Sequence, residues 1–237
     1  MIEKNNSLTI SEIFIAMQGE STRAGEKHLF IRLSGCQKRC VYCDTTSALS
    51  PQNGISMSIK SIVKLAELHP DIPVTITGGE PLMQGNIFHL IDTLVSRKRD
   101  VILFTSGGRN INQIPISVKK IIDIKTPGSG EVSTNLDETI NSINHNDELK
   151  FVITNIMDID WSIGFLRRNK MPLLKTVLFS PAWPLVDSKL LSRWIIGRKG
   201  DLKRYSNIYF YINTLLHRNK DYEGENYIIS NHSMSQG

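Results

Sequence analysis

Cysteine is scarce in this chain of 237 residues: there are three, Cys36, Cys40 and Cys43, and they fall within eight positions. Apolar stretches are short as well. The longest, such as HLFIRL and KFVIT, stay far below the roughly 18 to 20 residues that cross a bilayer, and the polar start MIEKNNS offers no signal-peptide core. No membrane contact is expected, and the expected location is the cytoplasm. Aromatic residues are only 7%, and no repeat, low-complexity tract or linker interrupts the chain. With 40% hydrophobic and 22% charged residues, these values exclude a disordered, collagen-like or coiled-coil protein. Neither sign of charge dominates, with 28 Lys and Arg against 23 Asp and Glu. The net +5 can steer an anionic small molecule. The densest basic group, Arg193, Arg198, Lys199, Lys203 and Arg204, reads as a solvated helix end and loop, so direct nucleic-acid binding is not expected.

What is present is an alternation. Strand-like runs stand at 28–34, 73–77, 101–105, 120–125, 149–154, 176–180 and 207–212. Between them, segments such as SIKSIVKLAELH, NIFHLIDTLVSRK, LDETINSIN, DIDWSIGFLRRN and SKLLSRWIIGR place apolar residues at three- and four-residue intervals, as amphipathic helices do. Parallel neighbours need crossover connections, so the alternation predicts a largely parallel sheet wrapped by helices in a single domain. An open doubly wound sheet and an incomplete barrel both satisfy it. Either way, ligands collect at the carboxyl ends of strands. The first of these strand candidates runs into GCQKRCVYC and the second into GGEP.

In a reducing compartment, clustered thiols read as metal ligands or catalytic groups rather than disulfides. Structural zinc takes four ligands in a closed shell. Here a fourth would have to come from elsewhere, since His28 lies on the preceding strand. A four-iron cluster needs one external ligand per iron, so three thiolates leave one iron open for chemistry. The C-x3-C-x2-C spacing, the aromatic Tyr42 before the last cysteine and TGGEP at 77–81 resemble the radical S-adenosylmethionine (SAM) enzymes. In that superfamily the open iron chelates SAM, and one-electron reduction yields a 5′-deoxyadenosyl radical. Gly78 and Gly79 can adopt positive φ and let backbone approach a ligand closely.

The segment EIFIAMQGESTRAGEKHLFIRLSGCQKRCVYCDT, residues 12–45, is similar to the amino-terminal signature of the 7-carboxy-7-deazaguanine synthase family. DIKTPGSGE at 123–131, DELKFVI at 147–153 and LFSPAW at 178–183 also resemble that family. The resemblance implies an α/β fold whose largely parallel sheet forms an incomplete, partial TIM-type barrel with outer helices. It also implies a lyase that converts 6-carboxy-5,6,7,8-tetrahydropterin to 7-carboxy-7-deazaguanine, with ring contraction and loss of ammonia, in queuosine-type deazapurine biosynthesis. The implied cofactors are a 4Fe-4S cluster, SAM and Mg2+, and the implied partner is a flavodoxin- or ferredoxin-type electron donor. Homodimer formation is left open.

Carried over residue by residue, the resemblance makes Cys36, Cys40 and Cys43 the cluster ligands and Thr45 the Mg2+ ligand. Tyr42, Asp44, Gly79, Ser106 and Lys125 would border SAM. Met17, Gln18, Gly19, Arg32 and Thr77 would meet the pterin. A glutamine suits an edge of alternating donors and acceptors, and a guanidinium suits a carboxylate through paired hydrogen bonds. The chain departs from the family pattern at Phe104, where a glutamate is usual, and at Asn207, Tyr211, Asn213 and Thr214 near the carboxyl end. His217 follows that altered strand, and the tail from about residue 218 reads as polar and mobile. Two other readings stay open: a glycyl-radical activating enzyme or a relative acting on a related substrate, and a cluster-containing regulatory protein without catalysis.

Overall fold

A computed structural model describes residues 6–109, 111–133, 136–169, 174–202 and 209–212. Asn207, Asn213, Thr214, His217, Lys203, Arg204 and the tail from about 218 lie outside the described residues. In chain order the elements are β1 (Ser7–Met17), β2 (Lys27–Leu33), β3 (Ile55–Ser58), α1 (Ile59–Glu67), β4 (Val74–Gly78) and α2 (Ile87–Ser96). There follow β5 (Val101–Thr105), β6 (Lys119–Asp123), α3 (Asp137–Asn141), β7 (Glu148–Ile153), α4 (Ile156–Asn169), β8 (Thr176–Pro181), α5 (Ser188–Gly197), α6 (Lys199–Leu202) and β9 (Tyr209–Ile212). Every strand and helix expected from periodicity has its counterpart, with ends within a residue or two except that α3 stops three residues early, at Asn141.

The strands form one nine-stranded sheet in the order β3-β1-β2-β4-β5-β6-β7-β8-β9. From β2 through β9 neighbours are parallel, whereas β1 runs antiparallel to both β2 and β3. After β3, each new strand is added on the same side of the last. Right-handed crossovers in a run without reversal put the connecting helices on one face and leave the other to line an interior. A doubly wound sheet reverses at a switch point, so this order is that of an incomplete barrel. It is open, with β3 and β9 as its edges among the described residues.

Two of these strands go beyond the periodicity reading. β1 buries Leu8, Ile10, Ile13 and Ile15, and its register with β2 slips between Ile10 and Glu12. The bulge inserts a residue and breaks the two-residue alternation that announces a strand. β3 is four residues long and half exposed, too short for a pattern.

The outer layer follows helical spacing. Ser58 caps α1 by accepting from the Ser61 backbone N–H, and Ile59, Ile62, Val63 and Ala66 face the core. Ile87, Leu90, Ile91 and Leu94 do the same for α2. These side chains pack on Leu29, Ile31, Leu33, Val74 and Ile76 in the main core. The inner face carries a separate small apolar plug, Ile102, Ile121 and Leu178, with Phe104 against it. Around that plug the inward positions are polar, among them Gln18, His28, Thr75 and Lys150, all buried.

Candidate active site

The cysteine loop leaves β2 at the carboxyl edge of the sheet and is held mainly by backbone. Gly35 N–H bonds the Ala48 carbonyl at 2.8 Å, Cys36 N–H the Leu49 carbonyl at 3.0 Å, and Val41 N–H the Ser129 carbonyl at 3.0 Å. The Glu131 carboxylate accepts from Arg39 N–H at 2.8 Å. The PGSGE stretch after β6 therefore buttresses this loop, a role its sequence alone does not display.

Glycines let the two loops meet. Gly79 N–H bonds the Leu33 carbonyl at 3.0 Å and Glu80 N–H the Gly35 carbonyl at 2.8 Å. A Cβ at Gly78, whose φ is +138°, would lie 2.2 Å from the Leu33 carbonyl oxygen, and one at Gly79 would lie 2.2 Å from that of Gly35. The expectation that these glycines serve close approach to a ligand is thereby corrected in part: they first serve approach of backbone to backbone. Glu80 then ties this turn to the next strand. Its buried carboxylate accepts from the hydroxyls of Thr105 (2.7 Å) and Ser106 (2.6 Å) and from Ser106 N–H (2.7 Å).

All the residues expected to hold cofactor or substrate line one cavity of about 410 Å³. Cys36, Cys40, Cys43, Tyr42, Asp44 and Thr45 come from the cysteine loop, and Thr77 and Gly79 from the end of β4. Ser106 and Lys125 follow β5 and β6, Met17 ends β1 with Gln18 and Gly19 just beyond it, and Arg32 lies on β2. The three thiols are free, and burial pushes those of Cys36 and Cys40 above their ordinary value. Among the described residues no three His, Cys, Asp or Glu converge as they would around a single ion. Three thiolates in one loop suit a cluster in which each takes a separate iron. The all-sulfur donor set, the glycine turn and the shared cavity fit such a group.

Arg32 serves two purposes. Its Nε donates to Glu12 at 2.5 Å across the β1–β2 pair, and its guanidinium lies 5.6 Å over the Phe14 ring. Phe14 in turn stacks on Phe30 at 5.1 Å. With Nε and one ring face used, the two terminal nitrogens have no partner among the described residues, a fork suited to a planar carboxylate. Thr45 occupies the position before a short 3-10 turn yet makes no capping bond with its side chain. Its hydroxyl lies 3.2 Å from Asp44 Oδ1. Trp183 stands at the rim, 57% exposed. Phe104 also lines the cavity.

A charge network on the cavity wall is absent from the sequence reading. Lys150 Nζ lies 2.7 Å from both Glu20 carboxylate oxygens and 3.7 Å from Asp123. Lys125 Nζ lies 2.9 Å from Asp123 and 5.5 Å over the Tyr42 ring. Burial alone would lower both lysine pKa values; the facing carboxylates outweigh it and hold them raised. Burial likewise works against ionised Asp123, but Lys125 and Lys150 keep its carboxyl below the usual value. Burial drives the Tyr42 phenol upward. The only signals in sequence were Glu20 in QGE and a lysine inside the apolar run LKFVI.

Comparison with known proteins gives the following. The model of the Radical SAM superfamily matches residues 30–137. A 7-carboxy-7-deazaguanine synthase of Koribacter versatilis is 33% identical over 211 residues, covering 83% of this chain and 92% of that protein. One of Chlorobaculum tepidum is 34% identical over 209 residues, covering 86% and 94%. Among solved structures, QueE from Escherichia coli superposes with a TM-score of 0.69 at 19% identity, over 90% of this chain and 100% of that one.

Proposed function

The chain belongs to the 7-carboxy-7-deazaguanine synthase family of radical SAM enzymes, and from that premise we propose that it converts 6-carboxy-5,6,7,8-tetrahydropterin to 7-carboxy-7-deazaguanine in the cavity that the three thiols line. The observation that carries this reading is convergence. Residues scattered from Met17 to Lys125 in sequence line one wall together with three thiols.

A 4Fe-4S cluster bearing SAM, when bound, supplies hydrogen-atom abstraction from the substrate carbon. Cys36, Cys40 and Cys43 would hold the cluster, with Tyr42, Asp44, Gly79, Ser106 and Lys125 around the nucleoside. The chain's own residues do the rest. Arg32 orients the substrate carboxylate through the two nitrogens that Glu12 leaves open. Gln18, Met17 and Gly19 meet the pterin edge, with Thr77 beside them. Thr45, helped by Asp44, supplies hard oxygen donors for Mg2+, which keeps most of its waters. Phe104, packed on the apolar plug of Ile102, Ile121 and Leu178, gives the cavity an apolar wall. The same reading includes a flavodoxin- or ferredoxin-type electron donor, a homodimer and a cytoplasmic location. No helix among the described residues is long and apolar enough to cross a membrane.

Anaerobically reconstituted protein, given SAM, reductant and the carboxytetrahydropterin, is expected to release carboxydeazaguanine and ammonia. If 5′-deoxyadenosine accumulates with no such product, the substrate assignment fails. Phe104 then favours a second reading, a related substrate that lacks the polar contact the family usually makes there.

A further inference from the structure

A chain of buried polar groups runs from the amino-terminal end of the sheet into the cavity, and the proposed chemistry leaves it unused. His28 on β2 is 0% exposed. Its Nδ1 lies 2.7 Å from the hydroxyl of Thr75 on β4. Thr75 Oγ1 lies 3.3 Å from Nε2 of Gln18, and Gln18 Oε1 accepts from the Glu20 backbone N–H at 3.1 Å. At the other end, His28 Nε2 faces the Glu26 carboxylate at 3.6 Å with no hydrogen-bond partner closer.

The two ends fix the polarity of everything between them. A backbone N–H can only donate, so the Gln18 carbonyl faces Glu20 and its NH2 faces Thr75. The Thr75 oxygen therefore accepts from Gln18, and because the Glu26 carboxylate faces Nε2, Nδ1 is left bare to take the one Thr75 hydrogen. The imidazole proton then sits on Nε2, where it faces a carboxylate. Burial keeps the ring neutral by lowering its pKa, as does Arg23, while Glu26 and Asp100 act in the opposite direction. Arg23 is itself paired with Glu26 and Asp100, at 2.5 Å each.

We propose that His28 is a positioning residue which, through Thr75, holds the Gln18 NH2 in the orientation that Glu20 N–H sets, and with it the order of donor and acceptor offered to a heterocyclic ligand in the cavity. Protonating His28 puts a second proton on Nδ1, which then donates to Thr75, so the Thr75 oxygen accepts from His28 and Gln18 together and its own hydrogen loses its partner. The Gln18 carbonyl stays with Glu20 N–H, while its NH2 shares the Thr75 oxygen with a cationic donor. Acidification so loosens the hold on the Gln18 NH2. The kinetic consequence rests on Gln18 being a substrate contact; the arrangement of protons does not.

The test uses the reconstituted full-length protein with 15N-labelled histidine and glutamine, Gln18 being identified by the loss of its side-chain resonances in Gln18→Glu. The expected result is a neutral His28 protonated on Nε2, and Gln18 NH2 resonances that move with the His28 midpoint as pH falls. In Thr75→Val the His28 titration persists but Gln18 no longer follows it, while Thr75→Ser keeps the coupling. Thr75→Val also raises KM for the carboxytetrahydropterin roughly fivefold, as loss of one neutral hydrogen bond does, with kcat nearly unchanged, and Thr75→Ser restores it. A proton on Nδ1, a Gln18 amide that ignores the His28 titration, or a Thr75→Ser protein as impaired as Thr75→Val would overturn the proposal. Coupled resonances in a protein that makes no carboxydeazaguanine uphold it while removing the substrate reading.

Discussion

A single methyl group added at Gly79 would press on the Gly35 carbonyl oxygen at 2.2 Å and on that of Ala48 at 2.9 Å. Neither neighbour is a side chain that can turn away, so the two loops must part. Gly79→Ala is expected to cost about 1–3 kcal/mol of stability and to lower cluster content, read by urea unfolding and by iron and sulfide per chain. Arg32→Lys changes binding instead of folding. Lysine keeps the charge but offers a point where the guanidinium offers a fork, and KM for the carboxylate substrate should rise about tenfold or more, seen in steady-state kinetics. Both positions were legible in sequence as residue types. Their partners were not: Glu12 and Gly35 become neighbours only through strand pairing and loop contact, which no local spacing announces.

At the level of elements, the Glu20–Lys150 pair joins the turn after β1 to the middle of β7, 130 positions apart. Lys150→Met strips the cation from half-buried Glu20 and removes the farther of two lysines from Asp123, which keeps Lys125, and is expected to cost up to about 3 kcal/mol. Adding Glu20→Gln should return part of that loss, because one stranded charge disappears. A double-mutant cycle from urea unfolding measures the coupling, and simple additivity would show that the pair is not energetically linked. Alternation of strand and helix was readable because each outer face repeats at the period of its own element. β7 shows the limit of that rule. It is buried on both faces, so Lys150 looked like an interruption in an apolar run when it is an inward-facing, paired group. β1 shows another, since its bulge hid a strand of eleven residues.

For the whole molecule, pH acts on stability mainly through groups whose affinity for protons changes on folding. Asp123, with its pKa lowered from 3.8, contributes stability above that value that is lost as pH falls below it. Lys150, raised from 10.5, contributes below that value and loses it only as pH climbs higher. The cavity network is thus constant near neutrality. His28 is not: its pKa is lowered from 6.5, so between that value and the folded one the unfolded chain binds more protons. Stability should fall as pH drops below about 6.5. His28→Gln should flatten that slope in urea midpoints measured from pH 7 to 5, even if it lowers the plateau. Asp147 acts with the opposite sign, its carboxyl raised by burial, and the wild-type-minus-variant difference removes it. Strand order was beyond reach from sequence, because alternation is the same for a sheet that reverses and one that does not.

Among the described residues the unclosed sheet ends on β3 and β9, of four residues each, and β3 pairs with only Ser7–Ile10 of β1, so the rest of β1 prolongs that border. An edge is a template on which another chain can add a strand, and the hazard grows with its length and flatness. The bulge between Ile10 and Glu12 twists the longer of these borders, so an incoming strand meets edges that are short or kinked. A barrel that stops before closing can therefore keep its side open without inviting fibrous growth when the protein is concentrated.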